Sequence, residues 1–338
     1  MEIQNLISQL FETLSLGRIT APITAVSGGF MHRMYKVCTA NHTYAVKHLN
    51  SEIMKRPSAM DTYKKAERLE AILEEAGIPI VPALTIGGKK IQELLGNYFY
   101  IFDWHEGNIT DWNNITAEQC RKAGNIQGRI HAIEARKSEP TEPTAPELST
   151  IDWNEYIKKS AGSNTDAPVQ EIKSLLKETL PLLDYAQTEL NKARQSLPNI
   201  TTIIDEDMDP KNVMWDNGEP VVIDLECLDY GNPVSSAIQL SLQWSGITLC
   251  DFDAEKQKAF FEGYLQAYDN GFRDYKSIFG LTYTWIEWLE YNIQRALGAS
   301  QDKTEQEMGL AEVKNTINRI KYIHKMEDKI KNNLTFED

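Results

Sequence analysis

Cysteine is scarce in this chain: 338 residues include four, Cys38, Cys120, Cys227 and Cys250, far apart and with no C-x-x-C pair. That spacing excludes a disulfide framework or a cysteine-built zinc site as an organising principle. Long apolar runs are missing too. No stretch approaches the ~20 residues of a membrane span, and the N-terminal MEIQNLISQLFETL reads as an amphipathic helix with acids rather than a signal peptide. A cytoplasmic protein without a membrane partner is expected. Basic residues are outnumbered, 35 Lys and Arg against 49 Asp and Glu, for a formal net charge of −14. Nucleic-acid binders need basic patches to replace counterions, so no such partner is expected; the acidic balance mildly favours a cationic small molecule instead. There is also no P-loop, no G-x-G-x-x-G, no fixed-period repeat and no low-complexity tract.

What is present concentrates in residues 203–226, IIDEDMDPKNVMWDNGEPVVIDLE. Asn217-Gly218 separates two apolar runs, Val213-Met214-Trp215 and Val221-Val222-Ile223, and Asn-Gly suits the two φ > 0 positions of a type I′ turn. A hairpin is expected in which Asp216 faces Glu219 and Trp215 faces Pro220, so that Asn212 stands within one residue of Asp224. Asp205, Asp207 and Asp209 precede the first strand and crowd the same open end. Carboxylates this close raise each other's pKa unless a cation or a basic group intervenes. Magnesium would relieve the repulsion, since it takes hard oxygen ligands and commonly binds through one or two carboxylates plus substrate phosphates.

Asp207-x4-Asn212 followed by Val-Ile-Asp224-Leu-Glu226 resembles the catalytic loop and metal-binding segment of the aminoglycoside phosphotransferase and choline kinase family, small-molecule relatives of the protein kinases. The resemblance implies an α+β, two-lobed, protein-kinase-like fold: a small N-terminal lobe with an antiparallel sheet (1–103) and a mostly helical C-terminal lobe with catalytic loop and acceptor site (104–338). It implies ATP and Mg2+ as cofactors, and γ-phosphate transfer to a hydroxyl of a small acceptor of aminoglycoside, choline or amino-sugar type. Asp207 would be the catalytic base and Asn212 and Asp224 the metal ligands. Asp209 or Asp205 could serve as base instead; Asp207 alone has the right spacing to Asn212. Pro210 and Gly231-Asn232-Pro233 also match the family's pattern. Two positions depart from it: Asp205 stands where the family has His, and Ser235-Ser236 stand where it has an Asp. These departures motivate an alternative, a catalytically silent nucleotide-binding pseudokinase.

The first hundred residues supply the other half of such a site. Gly28-Gly29 lies between two strand-like runs, and glycines without Cβ atoms let a backbone approach phosphates closely. Lys47, in Tyr44-Ala45-Val46-Lys47, resembles the phosphate-binding lysine of kinases. The helix expected over 61–75 stops at Gly77-Ile78-Pro79, and Glu67 on it is the expected partner of Lys47. The β-prone run 97–102 leads into Phe102, Asp103 and Trp104, which resemble the adenine-binding hinge. Beyond it helical periodicity dominates, over 117–135, 169–196, 254–269, 283–297 and 305–331. Glu287, Glu290 and Tyr291 share one face of the fourth of these, and the resemblance implies that such acids and aromatics line the acceptor site, receiving ammonium groups.

Overall fold

The computed structural model describes residues 2–26, 32–133, 147–159, 167–299 and 303–335. They divide into two compact units: Met1–Asp111 with Asp205–Asp229, and Trp112–Ile204 with Tyr230–Asp338.

In the first unit α1 (Ile3–Thr13) precedes β1 (Thr24–Val26), β2 (Arg33–Cys38) and β3 (Thr43–His48). Two helices, α2 (Ser51–Met54) and α3 (Ala59–Glu75), lead to β4 (Gln92–Leu94), β5 (Asn97–Asp103) and β6 (Asn108–Ile109). The five-stranded sheet is antiparallel throughout, ordered β1-β2-β3-β5-β4. Strand alternation sends Val37, Val46, Phe99 and Ile101 against Leu6, Ile7, Leu10 and Phe11 of α1. Tyr100 goes to the other face, where it clusters with Ala59 and Tyr63 of α3. Lys47 pairs in register with Tyr100 and is only 4% exposed. Helix α3 ends as the Gly-Ile-Pro order predicts: Gly77 adopts φ 69°, and the Ile78 amide donates to the Leu73 carbonyl at 3.0 Å.

Strand β7 (Thr202–Asp205) runs into the segment holding β8 (Val213–Asp216) and β9 (Glu219–Val222), and β10 (Leu228–Gly231) leads out of it. The hairpin forms in the predicted register, with Asp216 opposite Glu219 and Trp215 opposite Pro220. Asn217 and Gly218 both take positive φ, 49° and 82°. Division of the sequence at 103/104 puts this hairpin with the helices, whereas the described residues group it with the first unit. The reason is backbone pairing: β6 adds to β8, and Val81 and Val222 join through amide–carbonyl bonds around Pro79.

The second unit is helical: α4 (Ala117–His131), α5 (Trp153–Lys159), α6 (Ala167–Gln195), α7 (Pro233–Trp244), α8 (Ala254–Ala267), α9 (Trp285–Gln294), α10 (Lys303–Lys325) and α11 (Glu327–Asn333). Its core joins Leu183 and Leu190 of α6 to Ile286, Leu289 and Ile317 of the last helices. Helices α4 and α8 pack backbone to backbone: a Cβ on Gly124 would stand 2.0 Å from the Phe260 carbonyl oxygen, and one on Gly263 1.9 Å from that of Arg121. Replacing Gly124 with Ala gains about 1 kcal/mol of helix propensity but forces the helices apart, an overpacking cost of ~1–3 kcal/mol. A net loss of stability in urea denaturation is expected. Among the described residues no helix is long and apolar enough to cross a membrane.

Candidate active site

The catalytic-loop residues are tied together locally. The Asp209 carboxylate accepts from the Lys211 amide at 3.0 Å and caps a short 3-10 turn, Pro210–Asn212. That turn aims the Asn212 amide group back at Asp207: Nδ2 donates to the Asp207 carbonyl at 2.8 Å and to its Oδ2 at 3.0 Å. The Asn212 carbonyl accepts from the Ile223 amide at 2.9 Å, which brings Asn212 beside the strand end that delivers Asp224. Asp224 sits at φ 62°, ψ 61°, the left-handed region, sparsely populated by non-glycine residues and tolerated best by Asn and Asp.

The crowding of acids is real, and a basic group relieves much of it. Lys211 Nζ lies 2.7 Å from both Asp207 Oδ1 and Asp209 Oδ2. Burial alone would push this ammonium's pKa down, but the two carboxylates hold it above the usual lysine value. Burial, only partly countered by Lys211, pushes Asp209 up to about 6. Lys211 has no place in the sequence reading; its position four residues after Asp207 was the available signal.

Asp205, in the family's His position, is 2% exposed. Its Oδ1 accepts from the Asp207 amide at 3.1 Å, while its Oδ2 is buried without a hydrogen-bond partner. Burial, aided by the Asp207 charge, pushes its pKa up to about 8. A carboxyl whose pKa is raised on folding binds more protons folded than unfolded, so stability falls as pH rises between its ordinary 3.8 and about 8. The slope is at most about 1.4 kcal/mol per pH unit. Melting temperatures measured from pH 5 to pH 8 should fall less steeply for Asp205→Asn than for the parent chain. Equal slopes would show that Asp205 does not titrate there.

On the sheet side, Lys47 Nζ meets Asp224 Oδ1 at 2.6 Å and Glu226 Oε1 at 2.7 Å. Burial would lower its pKa, but Glu226 and Asp224 outweigh this and raise it. The expected partner, Glu67, is engaged elsewhere. It accepts from the hydroxyl of Tyr100, the residue directly across the strands from Lys47, at 3.0 Å. A small, partly open pocket is lined by Lys47, Glu67, Tyr100, Phe102, Asp224 and Glu226, among others. Of the other hinge candidates, Asp103 meets the His42 imidazole at 2.7 Å and Trp104 lies under the Lys36 ammonium at 3.9 Å. Gly28 and Gly29 lie outside the described residues.

In the helical unit, Arg194 takes both oxygens of Glu287, at 2.6 and 2.8 Å. Glu290 accepts from the Tyr156 hydroxyl at 2.8 Å. Tyr291 stacks on Trp288 with ring centroids 5.3 Å apart. The serine pair has packing roles: the Ser236 hydroxyl is buried and accepts from Gln127, and that of Ser235 accepts from Gln239.

A family model described as the phosphotransferase enzyme family, APH, matches residues 22–278, three quarters of the chain and all of the loop, hairpin and Lys47 strand just described. The chain belongs to the APH phosphotransferase family. Similar solved structures show the same kinase-like fold. Spectinomycin phosphotransferase APH(9)-Ia, in complex with ADP and spectinomycin, has 16% identity and a TM-score of 0.66, covering 92% of this chain and 96% of its own. The amicoumacin kinase hAmiN, with AMP-PNP, Ca2+ and Ami, has 13% identity and a TM-score of 0.59, covering 94% and 96%. Ethanolamine kinase from Plasmodium vivax has 15% identity and a TM-score of 0.56, covering 87% and 81%. No curated protein matches significantly by sequence.

The residues of this APH chain suit a hard divalent cation. With Asn212 Nδ2 turned to Asp207, the amide oxygen is left to serve as a donor, and the Asn212 backbone pairs with Ile223, the residue before Asp224. Among the described residues no three His, Cys, Asp or Glu side chains are grouped to hold a metal alone. Two oxygen-bearing side chains are what magnesium uses when phosphates and water complete its shell.

Proposed function

We propose that this phosphotransferase uses ATP with magnesium and transfers the γ-phosphate to a hydroxyl of a small molecule, with a cationic acceptor of aminoglycoside, choline or amino-sugar type as the favoured class. The observation that carries the reading is the pairing of a loop carboxylate, Asp207, held by Asn212 and Lys211, with a second carboxylate, Asp224, that faces the buried Lys47. Asp207 orients the acceptor hydroxyl and takes its proton as the oxygen bonds to the γ-phosphorus and the bond to the bridging oxygen of ADP breaks. Lys47 binds phosphate oxygens, Gly28 and Gly29 cover them, and the backbone at Phe102 to Trp104 receives the base. Asn212 and Asp224 would hold the magnesium, which supplies charge neutralisation on the phosphates.

Ethanolamine, named in one structural neighbour, is a small amino alcohol, which supports the acceptor class. Glu287 is the weakest of the acceptor residues because Arg194 already neutralises it; Glu290 and Tyr291 are better placed to meet an ammonium group. Four free cysteines suit a reducing cytoplasm. The test is ATP consumption against a panel of aminoglycosides, choline, amino sugars and homoserine, with Asp207→Asn as control. Magnesium-dependent ATP binding with no transfer to any acceptor or to water would favour the silent alternative, which the buried Asp205 motivates.

A further inference from the structure

Lys47 needs an anchor that survives nucleotide binding, and Asp224 is a poor one. If Asp224 takes the cation, its oxygen is no longer free to hold the lysine 2.6 Å away. Glu67 on α3 already holds the Tyr100 hydroxyl. What remains is Glu226, whose Oε1 forms a 2.7 Å ion pair with Lys47 without an aligned hydrogen bond. The left-handed backbone at Asp224 starts a short 3-10 turn over Leu225–Cys227, and this turn carries the Glu226 carboxylate to the lysine.

Glu226 is in turn held by His32. The Asn50 amide donates to His32 Nδ1 at 3.0 Å, so Nδ1 is an acceptor and carries no proton. The single ring proton therefore sits on Nε2, which lies 3.1 Å from Glu226 Oε2 and 3.4 Å from the Tyr63 hydroxyl. The side chains of His32 and Glu226 are only 8% and 15% exposed, so water competes little for these contacts. Burial by itself raises the Glu226 pKa; Lys47 and His32 more than reverse this and hold the carboxyl below its usual range.

We infer that His32 is a positioning residue: through its Nε2–H it fixes Glu226, and Glu226, in place of Glu67 on α3, anchors Lys47 for the phosphates. The chain of contacts runs Asn50 amide, His32, Glu226, Lys47, entirely within the first unit. Lys47's role toward phosphate rests on the proposed phosphotransfer, whereas the anchoring does not, and the two are separable by experiment.

The anchoring is read on the full chain without nucleotide, by following acylation of Lys47 with an amine-reactive ester by mass spectrometry. Glu226→Gln and His32→Ala should each speed Lys47 labelling at least about fivefold, and His32→Gln, which retains a side-chain N–H, should restore most of the protection. Glu67→Gln should change it less than about twofold. Nitrogen NMR should find His32 neutral with its proton on Nε2. Magnesium-ATP affinity by calorimetry should fall about tenfold in His32→Ala and recover in His32→Gln, while melting temperatures of the two variants stay alike. Labelling indifferent to His32 and Glu226, or governed by Glu67, overturns the anchor. A parent chain that binds no magnesium-ATP but shows the expected labelling pattern upholds the anchor and instead sinks the phosphotransfer reading.

Discussion

Asp207→Asn lowers kcat for phosphoryl transfer by about 10²- to 10⁴-fold, the range that a positioned general base contributes, and leaves magnesium-ATP affinity nearly unchanged. The substitution keeps the shape of the side chain, and the Asn212 amide retains its bond to the residue-207 carbonyl at 2.8 Å, so the loop stays folded. What is lost is the proton acceptor. The rival carboxylates are disqualified by their surroundings. Asp209 has one oxygen on the Lys211 amide and the other on the Lys211 ammonium, and its side chain is 10% exposed. Asp205 is wholly buried, and its raised pKa leaves it largely protonated at neutral pH. Asp207 also has both oxygens engaged, by Lys211 and Asn212, but at 37% exposure it is the most open of the three, which supports its proposed role as base. Steady-state kinetics on an acceptor found in the panel decide the matter: if Asp205→Asn or Asp209→Asn abolishes turnover while Asp207→Asn retains it, the base is misassigned.

The local parts of this site were legible because they follow from short-range geometry. An Asn-Gly turn fixes its own register, and a strand period of two then places Asn212 near Asp224 with no tertiary information. The burial of Lys47 was not legible in the same way: in Tyr44-Ala45-Val46-Lys47 a strand period of two fits either face, and the pairing with Tyr100 decides. Nor was the choice of partner across elements. Helical spacing presents both Glu67 and Glu70 as candidates, and the sheet decides: Tyr100 captures Glu67, and Lys90 with the Ala83 amide captures Glu70. The motif Val-Ile-Asp224-Leu-Glu226 does not by itself point Glu226 at Lys47, since in a continued strand it would lie two residues along from Asp224. The left-handed turn at Asp224 redirects it, and a non-glycine residue at φ 62° is not foreseeable from composition. His32 gave still less warning, because its function comes from a backbone amide eighteen residues away. The grouping of the hairpin with the first unit has the same origin, since pairing with Asn108 and Ile109 is a long-range choice.

Asp224→Asn is expected to be nearly fatal, with kcat/KM reduced on the order of 10³-fold or more, because charge stabilisation at the transferring phosphate is the largest single contribution that such a site makes. Asn is the informative replacement. It tolerates the left-handed backbone that Ala would strain, and it keeps an oxygen facing Lys47, so folding and the lysine's position are preserved while the negative charge is removed. Lys47 retains Glu226 as its second carboxylate, 2.7 Å away, and is not released by the change. The loss should therefore appear as weaker dependence on the cation: the magnesium concentration for half-maximal rate rises by about 10- to 100-fold, the scale on which perturbed ligand sets lose metal, and raised magnesium or manganese recovers part of the rate. Lys47→Met should behave differently, with impaired use of ATP and no such recovery. A titration of rate against magnesium for the parent and both variants separates the two roles. If Asp224→Asn shows an unchanged magnesium requirement, Asp224 is not the ligand, and its strained backbone serves only to turn Glu226 toward the lysine.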